Sequence, residues 1–249
     1  MENLLKFICP MQPLASVEGR DLDVLMYLIH GLMLILFVGW AIYFIVVLIK
    51  FRKSVHPKVS HSPTAAKVSS AIEWAVVIVE FTLLFAFSIP FWSVHVAAVP
   101  TGTNVLEVKL IAQQFAWNVH YAGPDGRFGK ASAKFLEDNT IGLDPKDPDG
   151  KDDVISMNHI YVPVNKTLLI RMTSKDVIHS LGIPAMRVKQ DIIPGMSTMV
   201  WFTPNKIGEY EIVCSQLCGL GHYRMRGILN VVSQDEYDQW MKEQKGSNE

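Results

Sequence analysis

The chain has 249 residues, of which 49% are hydrophobic and 19% are charged, and its formal net charge is −1 at pH 7. This length allows one domain of ordinary size with additional segments. The balanced charge provides no basic field of the kind that holds a nucleic-acid backbone, so nucleic-acid binding is excluded as the function. With three cysteines, the chain is also a poor candidate for a scaffold held together by disulfides.

The first predicted element is a membrane-spanning helix over residues 24–49. The run contains no charged residue, and as a helix it would be about 39 Å long, enough to cross a hydrocarbon core of about 30 Å with some tilt. A buried helix of a soluble protein is the alternative, and the length and purity of the run argue against it. A cleaved signal peptide is disfavoured because the run is too long and lacks a small-residue cleavage pattern.

A second apolar run at residues 71–92 predicts a second membrane-spanning helix that ends at Pro90 and Trp92. The segment between the two runs has basic residues and no acidic ones: Lys50, Arg52, Lys53, Lys58 and Lys67. Short loops rich in Lys and Arg favour the cytoplasmic side, so this loop is predicted inside the cell, with both termini outside. The predicted parts are an extracytoplasmic segment 1–23, a transmembrane helical hairpin 24–95 and an extracytoplasmic domain 96–249.

Two carboxylates interrupt the second apolar run. Glu73 lies near its cytoplasmic end, whereas Glu80 lies near mid-membrane, where a lone carboxylate costs about 3 kcal/mol on insertion scales. Glu80 is either a proton-pathway residue or, the interpretation we favour, a protonated or hydrogen-bonded side chain packed against a partner helix. Both interpretations imply a partner inside the membrane, and His30 in the first run supports the same inference.

From residue 104 the pattern changes to short segments typical of β strands. Residues 104–121 predict one strand, followed by a turn. Further strands are predicted at 160–173, 197–203, 209–213 and 227–232. Because no helical pattern intervenes, the segments indicate a β sandwich or barrel. Ser233 and Glu236 have the spacing of a capping box, which predicts a short helix at the C-terminal end.

Residues 129–153 are polar and rich in Asp, Gly and Pro, and they predict a long exposed loop. Calcium binding and steering of a basic partner are alternatives, although the full EF-hand pattern is absent. A solvated loop is the default interpretation.

The most informative segment contains two thiols, an imidazole and a thioether, from Cys214, Cys218, His222 and Met225. Sulfur ligands together with imidazole select copper, zinc or iron–sulfur chemistry. Structural zinc takes four Cys or His ligands and does not use Met, whereas a mononuclear blue copper site needs one Cys and two His. The additional cysteine indicates a centre in which two thiolates bridge two copper ions, each of which also binds a histidine.

That centre requires a second histidine from elsewhere in the chain. His179 is the first candidate because it follows a predicted strand and precedes a turn. His159, His120 and His95 are the alternatives. Because such a centre has no evident open coordination position, it is predicted to relay electrons rather than to transform a substrate.

A disulfide between Cys214 and Cys218 is the competing interpretation, since the domain is predicted to face an oxidising compartment. A disulfide would not call for His222 and Met225 in the same loop. We therefore favour copper over a disulfide or structural cysteines.

The loop pattern C-x₃-C-x₃-H-x₂-M, preceded by D-V-x-H-S-x-x-x-P and D-x-I-P-G, resembles cytochrome c oxidase subunit II, and the resemblance covers nearly the whole chain. It implies an all-β cupredoxin-like sandwich preceded by a two-helix transmembrane hairpin. It also implies a dinuclear copper A centre in which both cysteines bridge the two copper ions. The implied ligands are His179, Cys214, the backbone carbonyl of Gln216, Cys218, His222 and Met225.

Two positions depart from the family pattern. Gln216 stands where the family commonly has Glu, whose side chain also helps to bind magnesium at the interface with subunit I. Phe115 occupies the position of an exposed Trp that accepts electrons in the family. Trp117 follows two residues later and is more simply interpreted as a core aromatic. Glu73 resembles in position the family's glutamate at the start of a proton pathway.

The resemblance implies that a cytochrome c, or a c-type haem of a partner complex, docks on the β domain. Electrons would then pass to haem in subunit I, where oxygen is reduced to water. The implied partners are subunit I, other integral membrane subunits and membrane lipid, in a bacterial inner membrane. The sequence has no C-x-x-C-H motif, so no haem is expected in this chain.

Three other classes of protein share parts of this pattern. A quinol oxidase subunit II has the hairpin and sandwich but lacks the cysteines. Nitrous-oxide reductase has a similar copper loop but is soluble and joined to a larger catalytic domain. A copper-delivery or assembly protein would have an open, exchangeable site for a single copper ion.

Overall fold

The computed structural model describes residues 11–55, 63–97 and 99–246 of the chain. Contacts divide the chain into two compact units: Asp21–Ala98 belongs to one, and Gln12–Arg20 joins Val99 and the residues after it in the other. Within the second unit, the N–H of Ala15 donates to the carbonyl of Ala185 (2.9 Å), and the Ser16 hydroxyl donates to the carbonyl of Met186 (2.8 Å). The domain boundaries after residues 23 and 95 remain predictions.

The first unit is helical. Helix α1 spans Gly19–Lys50, and the second helical segment consists of α2 (Pro63–Thr82), a π-helical turn (Leu83–Ser88) and α3 (Ile89–Ala97). Both segments are long and apolar enough to cross a membrane, and no residue in their most apolar windows is buried. These helices agree with the predicted apolar segments.

The predicted end of the second segment at Pro90 and Trp92 is wrong, because the helix continues to Ala97. The N–H of Ile89 donates to the carbonyl of Leu84, which is a π-type bond immediately before Pro90. Proline cannot donate a backbone hydrogen bond, and a π turn is one way in which a helix rearranges its bonds around such a position. The proline therefore lies inside the helical segment.

In the part of the second unit that the structure describes, ten strands form two five-stranded sheets, so it is a sandwich, as predicted. The strands are β1 (Val105–Gln113), β2 (Ala116–Tyr121), β3 (Val154–Met157), β4 (His159–Pro163), β5 (Thr167–Ser174), β6 (His179–Ile183), β7 (Val188–Ile192), β8 (Thr198–Phe202), β9 (Gly208–Cys214) and β10 (Arg226–Val232). The sheet orders are β3-β2-β1-β5-β8 and β4-β10-β9-β6-β7. The largest fully buried side chains include Trp117, Tyr121 and Phe202.

Two segments that were each predicted as a single strand contain two strands in the structure. Residues 104–121 form β1 and β2, which pair antiparallel around the Gln114–Phe115 turn. This turn has no Gly, Pro or Asn to mark it. Residues 160–173 are interrupted at Asn165, whose φ of 62° is the left-handed conformation that Asn tolerates better than most residues.

Three strands were not predicted: β3, β6 and β7. Every residue of β6 is buried, so this strand shows no alternation of apolar and polar side chains. Strand β7 has the sequence VKQDI, in which charged and polar residues interrupt the apolar pattern.

The prediction of an exposed, solvated acidic loop is wrong for Asp147 and Asp153, which are both buried. Asp153 Oδ2 accepts hydrogen bonds from His120 Nε2 (2.6 Å) and from the N–H of Gly129 (2.8 Å). Asp147 Oδ2 accepts a bond from the N–H of Lys130 (2.7 Å). Asp153 thus attaches the loop to β2 through His120, whereas Asp147 joins two parts of the loop to each other.

The predicted C-terminal helix is present as α4 (Gln234–Gly246). Its capping box is formed: Glu236 Oε2 accepts from the N–H and the hydroxyl of Ser233 (both 2.8 Å), and Ser233 Oγ accepts from the N–H of Glu236 (3.2 Å). Trp240 of α4 stacks on Tyr161 of β4, with ring centroids 4.3 Å apart.

Candidate metal centre

Two neighbouring strands and one loop supply the predicted ligands. His179 is the first residue of β6 and Cys214 the last of β9, and these strands pair antiparallel with Leu181 opposite Cys214. The other ligands lie in the loop between β9 and β10. The N–H of Ser215 donates to the carbonyl of Ser180 (2.9 Å), which fixes the start of this loop against β6.

The structure brings all six predicted ligand positions together. Cys214 Sγ lies 3.8 Å from His179 Nδ1, 3.2 Å from the carbonyl oxygen of Gln216 and 3.8 Å from Cys218 Sγ. Cys218 Sγ in turn lies 3.6 Å from His222 Nδ1 and 3.7 Å from Met225 Sδ. The donor atoms form one cluster, centred on the two sulfur atoms of the cysteines.

The cluster is largely shielded from solvent and its thiols are free. His179 has no exposed surface, and Cys214, Cys218 and Met225 are buried. Neither thiol forms a disulfide, and their separation of 3.8 Å is well beyond the ~2.05 Å of an S–S bond. Among the described residues, His179, Cys214 and Cys218 are the one group of three Cys, His, Asp or Glu residues close enough to hold a metal ion.

Two of the alternative histidines, His120 and His159, have partners outside the cluster. His120 pairs with Asp153, and Nδ1 of His159 lies 3.3 Å from the amide nitrogen of Asn230. The side chain of His95 lies outside the described residues.

A carboxylate orients His179. Asp176 Oδ1 accepts from His179 Nε2 (2.8 Å) and from the N–H of Val177 (2.7 Å). Burial alone would lower the pKa of His179, but the bonds to Cys214 and Asp176 raise it above its usual value. Nε2, the ring nitrogen that faces away from the sulfur atoms, thus donates to the carboxylate of Asp176. Metal-binding histidines usually have such a hydrogen bond from their second ring nitrogen.

The two thiols differ in acidity without a metal. Burial would raise the pKa of Cys214, but hydrogen bonds from His179 and nearby groups lower it to about 6. Burial and the neighbouring Cys214 thiolate raise the pKa of Cys218 to about 11. One thiolate is thus available at neutral pH, and a metal must displace the proton of the second.

The donor set fits a soft metal ion. Two thiols, two imidazoles and a thioether converge here, and among the described residues no carboxylate belongs to the group formed with His179, Cys214 and Cys218. Such ligands suit copper rather than magnesium or calcium. With this chemistry, the burial and the free thiols, the cluster could hold a metal ion.

The aromatic residues predicted to accept electrons lie beside the cluster at different depths. Trp117 is fully buried, with its ring 6.3 Å from that of His179. Phe115 is half-buried and lies against the ligand loop, because a Cβ built on Gly221 would fall 2.5 Å from its Cδ2 atom. Trp117 belongs to the core, whereas Phe115 reaches the surface.

Large apolar side chains of the ligand loop point into solvent. Leu217, Leu220 and Tyr223 are 77%, 97% and 85% exposed, and Ile178 next to His179 is 44% exposed. Large apolar side chains exposed close together in sequence, like those of this loop, are typical of interaction surfaces.

The two membrane-segment carboxylates have different surroundings. Glu73 Oε1 accepts a bond from the hydroxyl of Ser69 (2.9 Å). Within the described residues, the carboxyl group of Glu80 has no hydrogen-bond partner. Glu80 lines a groove of about 290 Å³ with Ile29, Leu32, Met33, Leu36, Leu83, Leu84 and Ser88.

Two residues of the site were missed by the sequence analysis. Asp176 precedes His179 by three residues and begins the D-V-x-H-S stretch, which indicated the family resemblance but no role for this carboxylate. Gln114 donates its side-chain N–H to the carbonyl of Cys218 (2.7 Å). Because Gln114 is distant in sequence from both ligand segments, no local pattern identifies it.

Comparison with known proteins identifies the family. A family model described as "Cytochrome C oxidase subunit II, periplasmic domain" matches residues 106–232, just over half of the chain. The chain belongs to the cytochrome c oxidase subunit II family. The family and the two apolar helices together describe a membrane protein, and the family describes a subunit of an oxidoreductase complex.

Individual relatives agree with this family. The chain is 34% identical over 149 residues to an alternative cytochrome c oxidase subunit 2 of Bradyrhizobium diazoefficiens, a match that covers 59% of this chain and 54% of the relative. It is 28% identical over 250 residues to cytochrome c oxidase subunit 2 of Cereibacter sphaeroides, covering 94% and 80%. A solved structure, the periplasmic domain of subunit II of cytochrome oxidase of Bradyrhizobium japonicum, is similar with a TM-score of 0.44 and 31% identity, covering 60% of this chain and 99% of that one.

Proposed function

We propose that the cluster holds two copper ions and that the chain is the electron-accepting subunit II of a cytochrome c oxidase. The observation that supports this most directly is the 3.8 Å separation of two unbonded cysteine sulfurs, each with its own imidazole nitrogen within 3.8 Å. Bound copper would supply one-electron transfer between a cytochrome c or other c-type haem and the haem of subunit I.

The six ligand positions have distinct roles in this proposal. The thiolates of Cys214 and Cys218 would hold both ions at the centre of the cluster. The imidazoles of His179 and His222 would each provide one nitrogen ligand, and Met225 and the carbonyl of Gln216 would complete the ligand set.

The surrounding protein keeps the ligands in place and excludes water. His179 is oriented by Asp176, and the loop is attached to β6 through Ser215. Ligands held in this way change position little when charge is gained or lost, which favours rapid electron transfer over chemistry on a substrate.

We place the docking surface for other proteins at the exposed apolar side chains of the ligand loop and at Phe115. Leu217, Leu220 and Tyr223 provide apolar area of the kind that contacts the edge of a haem or the face of subunit I. Trp117 is too deeply buried to touch a donor directly and supports the core beside His179.

In the membrane, we propose that α1 and the second helical segment pack against subunit I and other integral subunits, with lipid around them. Glu80 supports this arrangement because an unpartnered carboxyl group in an apolar groove is costly in hydrocarbon and is stabilised by a donor from a neighbouring helix. Glu73, near the cytoplasmic end, is proposed at the start of a proton pathway. The sandwich then lies outside the inner membrane of a bacterium, as the basic loop predicts.

The test is the copper-to-protein ratio of the full chain purified in detergent, measured by elemental mass spectrometry. We expect two copper ions per chain, and loss of both in Cys214→Ser and Cys218→Ser. Cys9→Ser is the matched control, because it removes a cysteine outside the ligand loop. A single, readily exchanged copper ion would instead support the copper-delivery alternative.

A further inference from the structure

The two-residue turn between β1 and β2 contacts both segments that supply the ligands. The side-chain amide of Gln114 donates to the carbonyl oxygen of Cys218 (2.7 Å). The backbone N–H of the same residue donates to Asp176 Oδ2 (2.7 Å), and Asp176 Oδ1 accepts from His179 Nε2 (2.8 Å). Gln114 is thus connected on one side to Cys218 and on the other, through one carboxylate, to His179.

Phe115, the second residue of the turn, packs on the ligand loop between β9 and β10. A Cβ atom on Gly221 would lie 2.5 Å from Phe115 Cδ2, and one on Gly219 would lie 2.7 Å from Gln114 Nε2. A side chain at position 221 would overlap the Phe115 ring, and the φ of +134° at Gly219 itself favours glycine. The backbone of the ligand loop therefore rests directly on Gln114 and Phe115.

The ligand loop needs such support because few regular hydrogen bonds hold its middle. Between β9 and β10 it forms only short turns, such as the bond from the N–H of His222 to the carbonyl of Gly219 (3.1 Å). Groups that hydrogen-bond to ligand-bearing segments fix ligand orientation, and their loss typically weakens metal binding by about 10- to 100-fold. A neutral hydrogen bond is modest by itself, but here it sets the position of a sulfur ligand.

We propose that Gln114 is a positioning residue of the metal centre: its side-chain amide fixes the Cys218 segment relative to the segment of His179. This inference rests on the proposed function, since it concerns the same site. The inference adds that the turn of Gln114 and Phe115 holds the ligand segments in place. The same turn contains Phe115, on which a donor is proposed to dock.

The chain provides a matched control in the preceding residue. Gln113 has the same side chain, but its Oε1 accepts from Lys175 Nζ (2.7 Å), and its amide forms none of the bonds to the ligand loop that the structure describes. Gln114→Met preserves the length of the side chain and removes the donor. Gln114→Glu preserves its shape and replaces the donor with an acceptor.

The experiment compares these variants as full chains in detergent, loaded with copper. We measure the rate of copper loss to a chelator and the spin-resonance spectrum. Gln114→Met and Gln114→Glu are expected to lose copper about tenfold faster than the wild type, with altered hyperfine splittings. Gln113→Met is expected to match the wild type in both measurements.

A second measurement keeps the inference separate from the copper proposal. In the metal-free chain, Gln114→Met is expected to increase the rate at which iodoacetamide alkylates Cys218, while Gln113→Met leaves this rate unchanged. Wild-type rates and spectra in Gln114→Met would overturn the positioning role. Failure of the wild type to bind two copper ions would overturn the proposed function, and the alkylation rates would still decide whether Gln114 positions Cys218.

Discussion

The carboxylate of Asp176 lies 2.8 Å from Nε2 of His179, while Nδ1 of the same ring points at the sulfur of Cys214, 3.8 Å away. The ring is therefore held in one orientation, with one nitrogen for the carboxylate and the other for a metal ion. Burial would raise the pKa of Asp176, but hydrogen bonds from Gln114, His179 and Val177 lower it below its usual value. The carboxylate stays ionised at neutral pH and favours His179 with its proton on Nε2.

Asp176→Asn should weaken copper binding, because a neutral amide holds the imidazole less firmly than a carboxylate. We expect copper to leave about tenfold faster or more, as measured by transfer to a chelator. Asp144→Asn is the control, since Asp144 accepts a bond from the N–H of Lys146 (3.0 Å) in an exposed turn. Equal rates in the two variants would show that Asp176 has no role in holding the ligand.

Copper(I) binding to the metal-free chain should strengthen as pH rises above 7. The pKa of Cys218 is raised to about 11, so this thiol is protonated at neutral pH. Copper binding must therefore displace the proton of the Cys218 thiol. Displacing one proton makes affinity rise about tenfold per pH unit until the thiol ionises. Competition titrations against a copper(I) chelator at several pH values measure this slope.

Cys214 contributes little to that slope, because its pKa is lowered to about 6 and it is already a thiolate above neutral pH. The rise of affinity in the alkaline range is therefore expected to come from the proton of Cys218. An affinity that does not change from neutral to alkaline pH would contradict the assignment of the displaced proton.

Asp153→Ala should destabilise the β domain, because it leaves the buried His120 without its partner. His120 and Asp153 are 1% and 6% exposed, and their contact is 2.6 Å long. Removing one member of a buried hydrogen-bonded pair of this kind costs about 3 kcal/mol. Thermal unfolding of the full chain measures the loss, and Asp138→Ala, at an exposed position of the same loop, should leave the unfolding temperature unchanged.

Sequence patterns predicted most of the fold because the relevant signals are local. The apolar helices follow from uninterrupted hydrophobic runs, and α4 follows from the spacing of Ser233 and Glu236. Strand β6 was missed because burial on both faces removes alternation. The continuation of the second helical segment past Pro90 was missed because a π turn has no simple sequence signature.

The metal cluster was predictable to the extent that its ligands are close in sequence. Five of the six ligand positions lie in the segment from Cys214 to Met225, and the side chains of four of them indicate the metal. Gln114 and the buried pair of His120 and Asp153 depend on contacts between distant segments. No spacing rule in a single sequence reports such contacts.

The most direct test of the central claim is the electron spin-resonance spectrum of the copper-loaded full chain in its partly oxidised state. If the sulfurs of Cys214 and Cys218 bridge two copper ions, one unpaired electron is shared between equivalent nuclei, and the hyperfine pattern is that of a copper pair. The pattern of a single copper nucleus in the fully loaded protein would contradict the account.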